Sequence, residues 1–256
     1  MWIILIILLL VLAIIVCYLM KPVVSGGGEN NREYEYAFMF EPAEEAATKA
    51  DELRKKLKRL GATKRAEVVM PIAVYNHPQY EPDDKTGPYV RVRHEGDRVT
   101  FTVKSDIDSK FVKEYEVNVD KSDSDVVDEM HKLLTSLNFS LKYRVEKLRE
   151  TWNMDEAEIV FDTYPGLPIY IEIETDSKKK LDAVTRKLGF DPKNALTKDR
   201  DMYSRVYGFP KDRKPPPNAQ LIFSEDAKKQ FEGLFEKNEE LFDKLLKEQI
   251  AHIKKL

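Results

Sequence analysis

From Glu33 to Thr175 apolar and polar residues alternate in short runs: "EYEYAF" at 33–38, "YVRVRHEG" at 89–96, "RVTFTVKS" at 98–105, "KEYEVNV" at 113–119, "YRVEKLRETW" at 143–152, "AEIVFDTY" at 157–164 and "IYIEIET" at 169–175. Successive side chains of an extended chain point to opposite faces, so this period of two predicts strands with one apolar and one polar face. "AEVVMPIAVY" at 66–75, rich in β-branched residues, reads as a further strand. Helical spacing replaces the alternation in a few places. Ala46, Ala50, Leu53, Leu57 and Leu60 predict a helix over 42–60 that stops at Gly61. Val126, Val127, Met130, Leu133, Leu134 and Leu137 predict one over 124–137, and another runs from Ser177, an N-cap residue, to Leu188 before Gly189. Near the end, Ala227, Phe231, Leu234, Phe235, Leu241, Phe242, Leu245, Leu246 and Ile253 form the stripe of an amphipathic helix over 224–256. Strands outnumber helices, so the fold class is α+β, with an antiparallel sheet able to close into a barrel.

The first residues follow neither period. Trp2 to Met20 carry no charge, and about 19 residues at 1.5 Å each give roughly 28 Å of helix, enough to cross a bilayer core. A cleaved leader is the rival, but no basic residue precedes the run and "KPVVSGGG" offers no small-x-small cleavage site. Lys21 and Arg32 lie on the C-terminal side, so the positive-inside rule places the body in the cytoplasm, as a single-pass membrane protein. The expected layout is a transmembrane anchor at 1–21, a Gly-rich linker at 22–32, a body at 33–210, a stiff Pro-rich linker at 211–223 and the helix at 224–256.

Composition narrows the picture. The chain has 256 residues, 42% hydrophobic and 34% charged, which suits one globular domain with appendages. A formal net charge of −3 argues against nucleic acid as a partner. Cys17 is the single cysteine, so there is no intramolecular disulfide and no thiolate metal site. The four histidines, His77, His94, His131 and His252, have no ligand-like spacing. "SGGG" precedes no P-loop lysine. The C-terminal helix packs on the body or, in a sharper reading, binds a partner or a second copy.

The polar faces of the strands are sorted by sign. Glu33 and Glu35, Glu114 and Glu116, and Glu172 and Glu174 are acidic pairs, with Asp162 between them in the sequence; Arg91 and Arg93, and Lys147 and Arg149, are basic pairs, joined by Lys104. The ordinary explanation of a charged face is the wet side of an antiparallel sheet. Such a face mixes signs freely, whereas same-sign pairs repel unless opposite charge lies between them. Paired carboxylates call for a hard divalent cation, and arginine pairs call for a polyanion that the guanidinium fork grips. A metal-bound polyphosphate inside a charged barrel meets both demands, and the apolar faces would then lie outside, under the helices.

These residues resemble the CYTH domain, the triphosphate tunnel metalloenzymes that include class IV adenylyl cyclases, thiamine triphosphatases and inorganic triphosphatases. The resemblance covers Glu33 to about Pro210. The family's Glu–x–Glu–x–Lys motif falls on Glu33, Glu35 and Ala37, so alanine stands where the family has lysine. Arg91 and Arg93 match its Arg–x–Arg strand, Lys104 the lysine that follows, Lys147 and Arg149 the later basic pair, Asp162 the aspartate before "PGLP", and Glu172 with Glu174 the closing "EIE" strand. "DMYSRVYGFP" at 201–210 is similar to the helix near that domain's end.

The resemblance implies a tunnel of about eight antiparallel strands holding a triphosphate and Mg²⁺ or Mn²⁺. Glu33, Glu35, Asp162, Glu172 and Glu174 would face metal; Arg91, Arg93, Lys104, Lys147 and Arg149 would face phosphate; Glu114 and Glu116 would be further tunnel acids. The implied activity is metal-dependent hydrolysis of an inorganic, nucleoside or thiamine triphosphate. Two alternatives stay open: a class IV-like adenylyl cyclase making cyclic AMP, and a non-catalytic module that binds polyphosphate or nucleotide, to which Ala37 points.

Overall fold

The structure is a computed structural model describing residues 34–77, 89–96, 98–108, 111–120, 126–196, 201–210 and 219–256; among these, the side chains at 89, 104–108, 111–116, 119–120, 201 and 219 lie outside the description. The expected anchor at 2–20, the linker, Glu33 and residues 211–218 also lie outside it. Among the described residues no helix is long and apolar enough to cross a membrane.

Eight strands and three helices follow the predicted periods, whereas Ala219–Leu221 forms a strand inside the stretch expected as a linker. Strands are β1 (Tyr34–Met39), β2 (Thr63–Asn76), β3 (Tyr89–His94), β4 (Arg98–Asp108), β5 (Phe111–Asp120), β6 (Ser140–Met154), β7 (Ala157–Thr163), β8 (Tyr170–Thr175) and β9 (Ala219–Leu221). Helices are α1 (Ala46–Arg59), α2 (Val126–Ser136), α3 (Lys178–Leu188), α4 (Asp201–Tyr207) and α5 (Glu239–Ile253). α3 shows why the local reading works: the Ser177 side chain accepts from the Lys180 amide at the start, and Gly189 ends the helix at φ 96°, where a Cβ is penalised.

One sheet runs in the order β1-β8-β7-β6-β2-β3-β4-β5, all antiparallel, with β9 added parallel to β6 at Tyr143–Val145. Its apolar face is the outer one. α1 and α3 bury Ala46, Ala50, Leu53, Leu57, Leu181 and Leu188 against Phe38, Trp152, Ile159, Phe161, Ile171 and Ile173. Burying each large aliphatic side chain contributes about 1.5–3 kcal/mol, so this layer fixes the register of β1, β8 and β7. α2 covers the other half, with Leu134 in a cluster of Ala73, Tyr75, Val90, Val92 and Val99. Buried Glu150 ties α1 to β6, accepting from Arg54 Nε at 2.9 Å and from Trp152 Nε1 at 2.7 Å. The charged face is therefore the one turned away from these three helices, as the alternation predicts.

Two expectations need correction. The sheet path ends at β1 and β5, so among the described residues hydrogen bonding does not close it into a barrel. At the β1 edge, Leu196 N–H donates to the Ala37 carbonyl at 2.8 Å, so another segment takes that edge. The continuous helix expected over 224–256 is instead a 3-10 helix, Glu225–Phe231, followed by α5. Gly233 at φ 74° and Asn238 at φ 59° sit in the left-handed region between them, which no right-handed helix passes through.

Candidate functional site: a charged cluster on the inner face

Register assigns the inner face residue by residue, because directly opposed residues of an antiparallel pair share a face. Across β1, β8 and β7, Glu35 faces Glu174 and Glu174 faces Glu158; at the next level Ala37 faces Glu172 and Glu172 faces Val160; at the third, Met39 faces Tyr170 and Tyr170 faces Asp162. On β6, Arg149 lies opposite Asp162.

Four of the expected site residues meet in one buried cluster. Arg149 grips Asp162 with both arms, Nε to Oδ1 at 2.8 Å and Nη2 to Oδ2 at 2.6 Å, and also donates from Nη2 to Glu172 Oε2 at 2.7 Å. Lys147 Nζ reaches Asp162 Oδ2 at 2.7 Å. Asp162 is 0% exposed, Glu172 4%, Lys147 6% and Arg149 8%, so these charges interact through protein rather than water. Burial alone would raise the Asp162 carboxyl, but the adjoining Arg149 and Lys147 outweigh it and hold Asp162 well below the usual carboxylate range. Burial likewise pulls the Arg149 guanidinium down, and the Asp162 charge more than offsets it. Glu172 goes the other way: burial, together with the Asp162 and Glu35 charges, pushes it well above the usual range against the pull of Lys147 and Arg149.

Of the other expected residues, Glu35 and Glu174 adjoin this cluster, where their charges act on Glu172 and Arg149. Arg91 and Arg93 share the inner face on β3, opposite Val74 and Ile72 of β2. Arg91 Nη2 lies 3.4 Å from Thr102 Oγ1, and Arg93 pairs with Glu95. Burial raises Glu95, but Arg93 and Arg98 outweigh it and set it below the usual carboxylate range. Lys104, Glu114 and Glu116 fall in β4 and β5 with Lys104 opposite Glu114, their side chains lying outside the description, as does Glu33 entirely.

Between the two basic pairs runs a feature absent from the sequence reading. β2 places Val68, Met70, Ile72 and Val74 on the inner face, with Val68 opposite Arg149, Met70 opposite Lys147, and Ile72 and Val74 opposite Val145 and Tyr143. The charged face is thus divided by an apolar strip. The signal is present in "AEVVMPIAVY", whose apolar residues occupy both parities. Glu158 is another omission; it shares parity with Asp162 in "AEIVFDTY" and extends the row of Glu35 and Glu174 to a third carboxylate.

Carboxylate oxygens in such a row are the hard donors that Mg²⁺ or Mn²⁺ prefers. Glu35 and Glu174 engage protein groups here, and among the described residues no three His, Cys, Asp or Glu side chains gather closely enough to hold a metal ion. The donor type fits a divalent cation, and the side-chain positions are those of the protein alone.

Comparison with known proteins agrees with this fold. Among curated proteins none matches the chain significantly. Among solved structures, the PH1012 protein of Pyrococcus horikoshii OT3 superposes with a TM-score of 0.51 at 18% identity, over 65% of this chain and 96% of that one. The PH1819 protein of the same organism gives 0.50 at 24% identity, over 67% and 97%. A Vibrio parahaemolyticus protein provisionally named an adenylate cyclase gives 0.52 at 14% identity, over 68% and 96%. At these identities the likeness is one of fold. The CYTH domain model matches residues 31–203, which span the first eight strands and the whole charged cluster, and the chain belongs to the CYTH domain family.

Proposed function

We propose that the inner face binds a linear triphosphate together with Mg²⁺ or Mn²⁺ and hydrolyses it, on a body held at a membrane by residues 2–20. The observation that carries this reading is the buried Lys147–Asp162–Arg149–Glu172 cluster next to the carboxylate row Glu35–Glu174–Glu158. The cluster holds two buried cations, Lys147 and Arg149, and burial disfavours ionisation of Glu172 beside them, which favours an anion. Lys147 has three N–H donors and Asp162 takes one, so phosphate oxygens accept from the others. Arg149 is fixed by Asp162 and presents Nη2 towards Glu172, where a phosphate oxygen competes for the same donor. Arg91 and Arg93 supply further cationic groups along the face. A divalent cation would be held by Glu35 and Glu174 with Glu158 beside them, neutralising phosphate charge and orienting water.

Ala37 favours a second reading, binding without turnover. It lies directly opposite Glu172, where the family motif has lysine, and it is 4% exposed. The deciding experiment incubates the full chain in detergent with tripolyphosphate, ATP or thiamine triphosphate under Mg²⁺ or Mn²⁺, and follows phosphate, pyrophosphate and cyclic AMP. Released phosphate upholds hydrolysis. Binding with no product upholds the second reading, cyclic AMP with pyrophosphate makes the chain a cyclase, and no binding at all overturns the assignment of the inner face.

A further inference from the structure

The turn joining β7 to β8 is gripped from outside the sheet. Pro165 O accepts from the Tyr203 hydroxyl at 2.8 Å, and Gly166 O accepts from the Tyr207 hydroxyl. Gly166 sits at φ 73°, and a Cβ on it would fall inside the Phe242 ring of α5. The most specific grip is that of Gln249. Its Oε1 accepts from Gly166 N–H at 2.8 Å and its Nε2 donates to Leu167 O at 2.7 Å, so one side-chain amide satisfies a donor and an acceptor of adjacent turn residues. Only one orientation of the amide does this, since the flipped one sets like against like. Gln249 is buried, in line with Phe242 and Leu246 on the stripe of α5. A polar side chain there is costly unless both its groups are bonded, as they are. Tyr207, Phe242 and Gln249 all lie beyond residue 203, where the family match ends.

The turn is also the link between the two carboxylates of the cluster. Asp162 leads into it on β7 and Glu172 leaves it on β8, both bonded to Arg149. We propose that Gln249 is a positioning residue for the triphosphate site: α5 clamps the β7–β8 turn through this amide and thereby sets how Asp162 and Glu172 stand around Arg149. The inference rests on the functional reading above for its ligand, but the clamp itself is testable without one.

The test uses the full chain with Gln249→Leu and Gln249→Glu, at a temperature where near-UV circular dichroism matches the parent. In the absence of ligand, Gln249→Leu is expected to speed amide exchange over 160–174 at least about tenfold while α1 is unchanged, because a local opening rather than global unfolding is released. Tripolyphosphate affinity with Mg²⁺ is expected to fall roughly tenfold or more, as a small displacement of a binding group allows. Gln249→Glu separates positioning from packing. A protonated carboxyl accepts from Gly166 N–H and donates to Leu167 O, whereas an ionised one faces Leu167 O with a second acceptor. A buried Glu titrates above its ordinary range, so affinity relative to the parent is expected to be within about twofold near pH 5 and at least about tenfold weaker near pH 8. If Gln249→Leu does not fold, this pH-dependent ratio alone decides. Exchange that is unchanged, or raised evenly along the chain, overturns the clamp; affinity ratios for Gln249→Glu that do not vary with pH overturn the positioning role. If the parent binds no tripolyphosphate, the functional reading and the positioning role fall together, and localised exchange still decides whether the clamp exists.

Discussion

Asp162 is the residue on which the buried cluster turns, since it accepts from Arg149 through both oxygens and from Lys147. Asp162→Asn removes the charge that pairs two buried cations and points an amide N–H₂ at one of them. Breaking a buried pair from one side costs about 3–5 kcal/mol, and urea unfolding should show a loss of that order. A loss under about 1 kcal/mol would mean that the cluster is hydrated in solution. Glu172 makes an opposite kind of contribution. Its folded carboxyl is raised well above the ordinary range, with burial the largest cause, so between the unfolded and folded values the native state binds more protons than the unfolded one. Stability then falls as pH rises from about 4.3 through the folded value, because unfolding releases the proton. Glu172→Gln should flatten that part of the stability–pH curve, read by thermal unfolding at several pH values; a slope unchanged from the parent would place the titration elsewhere.

Among elements, the contact of α5 with the β7–β8 turn is the one most sharply fixed by sterics. Gly166→Ala combines a left-handed φ with a methyl group driven into the Phe242 ring, so the melting temperature should drop, with a stability loss of at least about 1–3 kcal/mol. Adding Phe242→Ala clears the clash but not the backbone strain. The double mutant should therefore be more stable than the sum of the two single losses predicts, by roughly 1 kcal/mol or more. Strict additivity would show that the turn moves freely away from α5. Sequence reasoning found the apolar stripe here and missed the break in it. Gly233 and Asn238 each tolerate helical conformations in principle, and only the packing of Phe231, Phe235 and Phe242 around Tyr207 and Phe209 selects the left-handed alternative at both.

Across the whole molecule the inner face works as a field of charges, and Ala37 is an uncharged position on it, directly opposite Glu172. Ala37→Lys would set an ammonium opposite Glu172 and raise affinity for tripolyphosphate by at least several-fold, since one charge-assisted contact is worth about 1.5–3 kcal/mol. Isothermal titration with Mg²⁺ checks this. An unchanged affinity would show that Ala37 does not face the phosphates, and tighter binding with no turnover in either protein would favour the non-catalytic reading.

The strands β1 to β8, the helices α1 to α3, the outer apolar layer and the face carried by each charged pair were set by the sequence, because side-chain direction in a strand depends only on parity and in a helix only on a spacing of about 3.6. The family, too, was legible in the ordered series from Glu35 to Glu174. Tertiary structure decided which of those charges meet. Lys147, Arg149, Asp162 and Glu172 come together because β6, β7 and β8 are adjacent in register, while along the sheet Arg91 and Arg93 are separated from them by β2, which enters between β6 and β3. Parity cannot foresee the order of strands across a sheet. Nor can it foresee a partner from far along the chain, such as Gln249 on the turn at Gly166, because that contact is specified by packing of the whole fold and not by any local spacing.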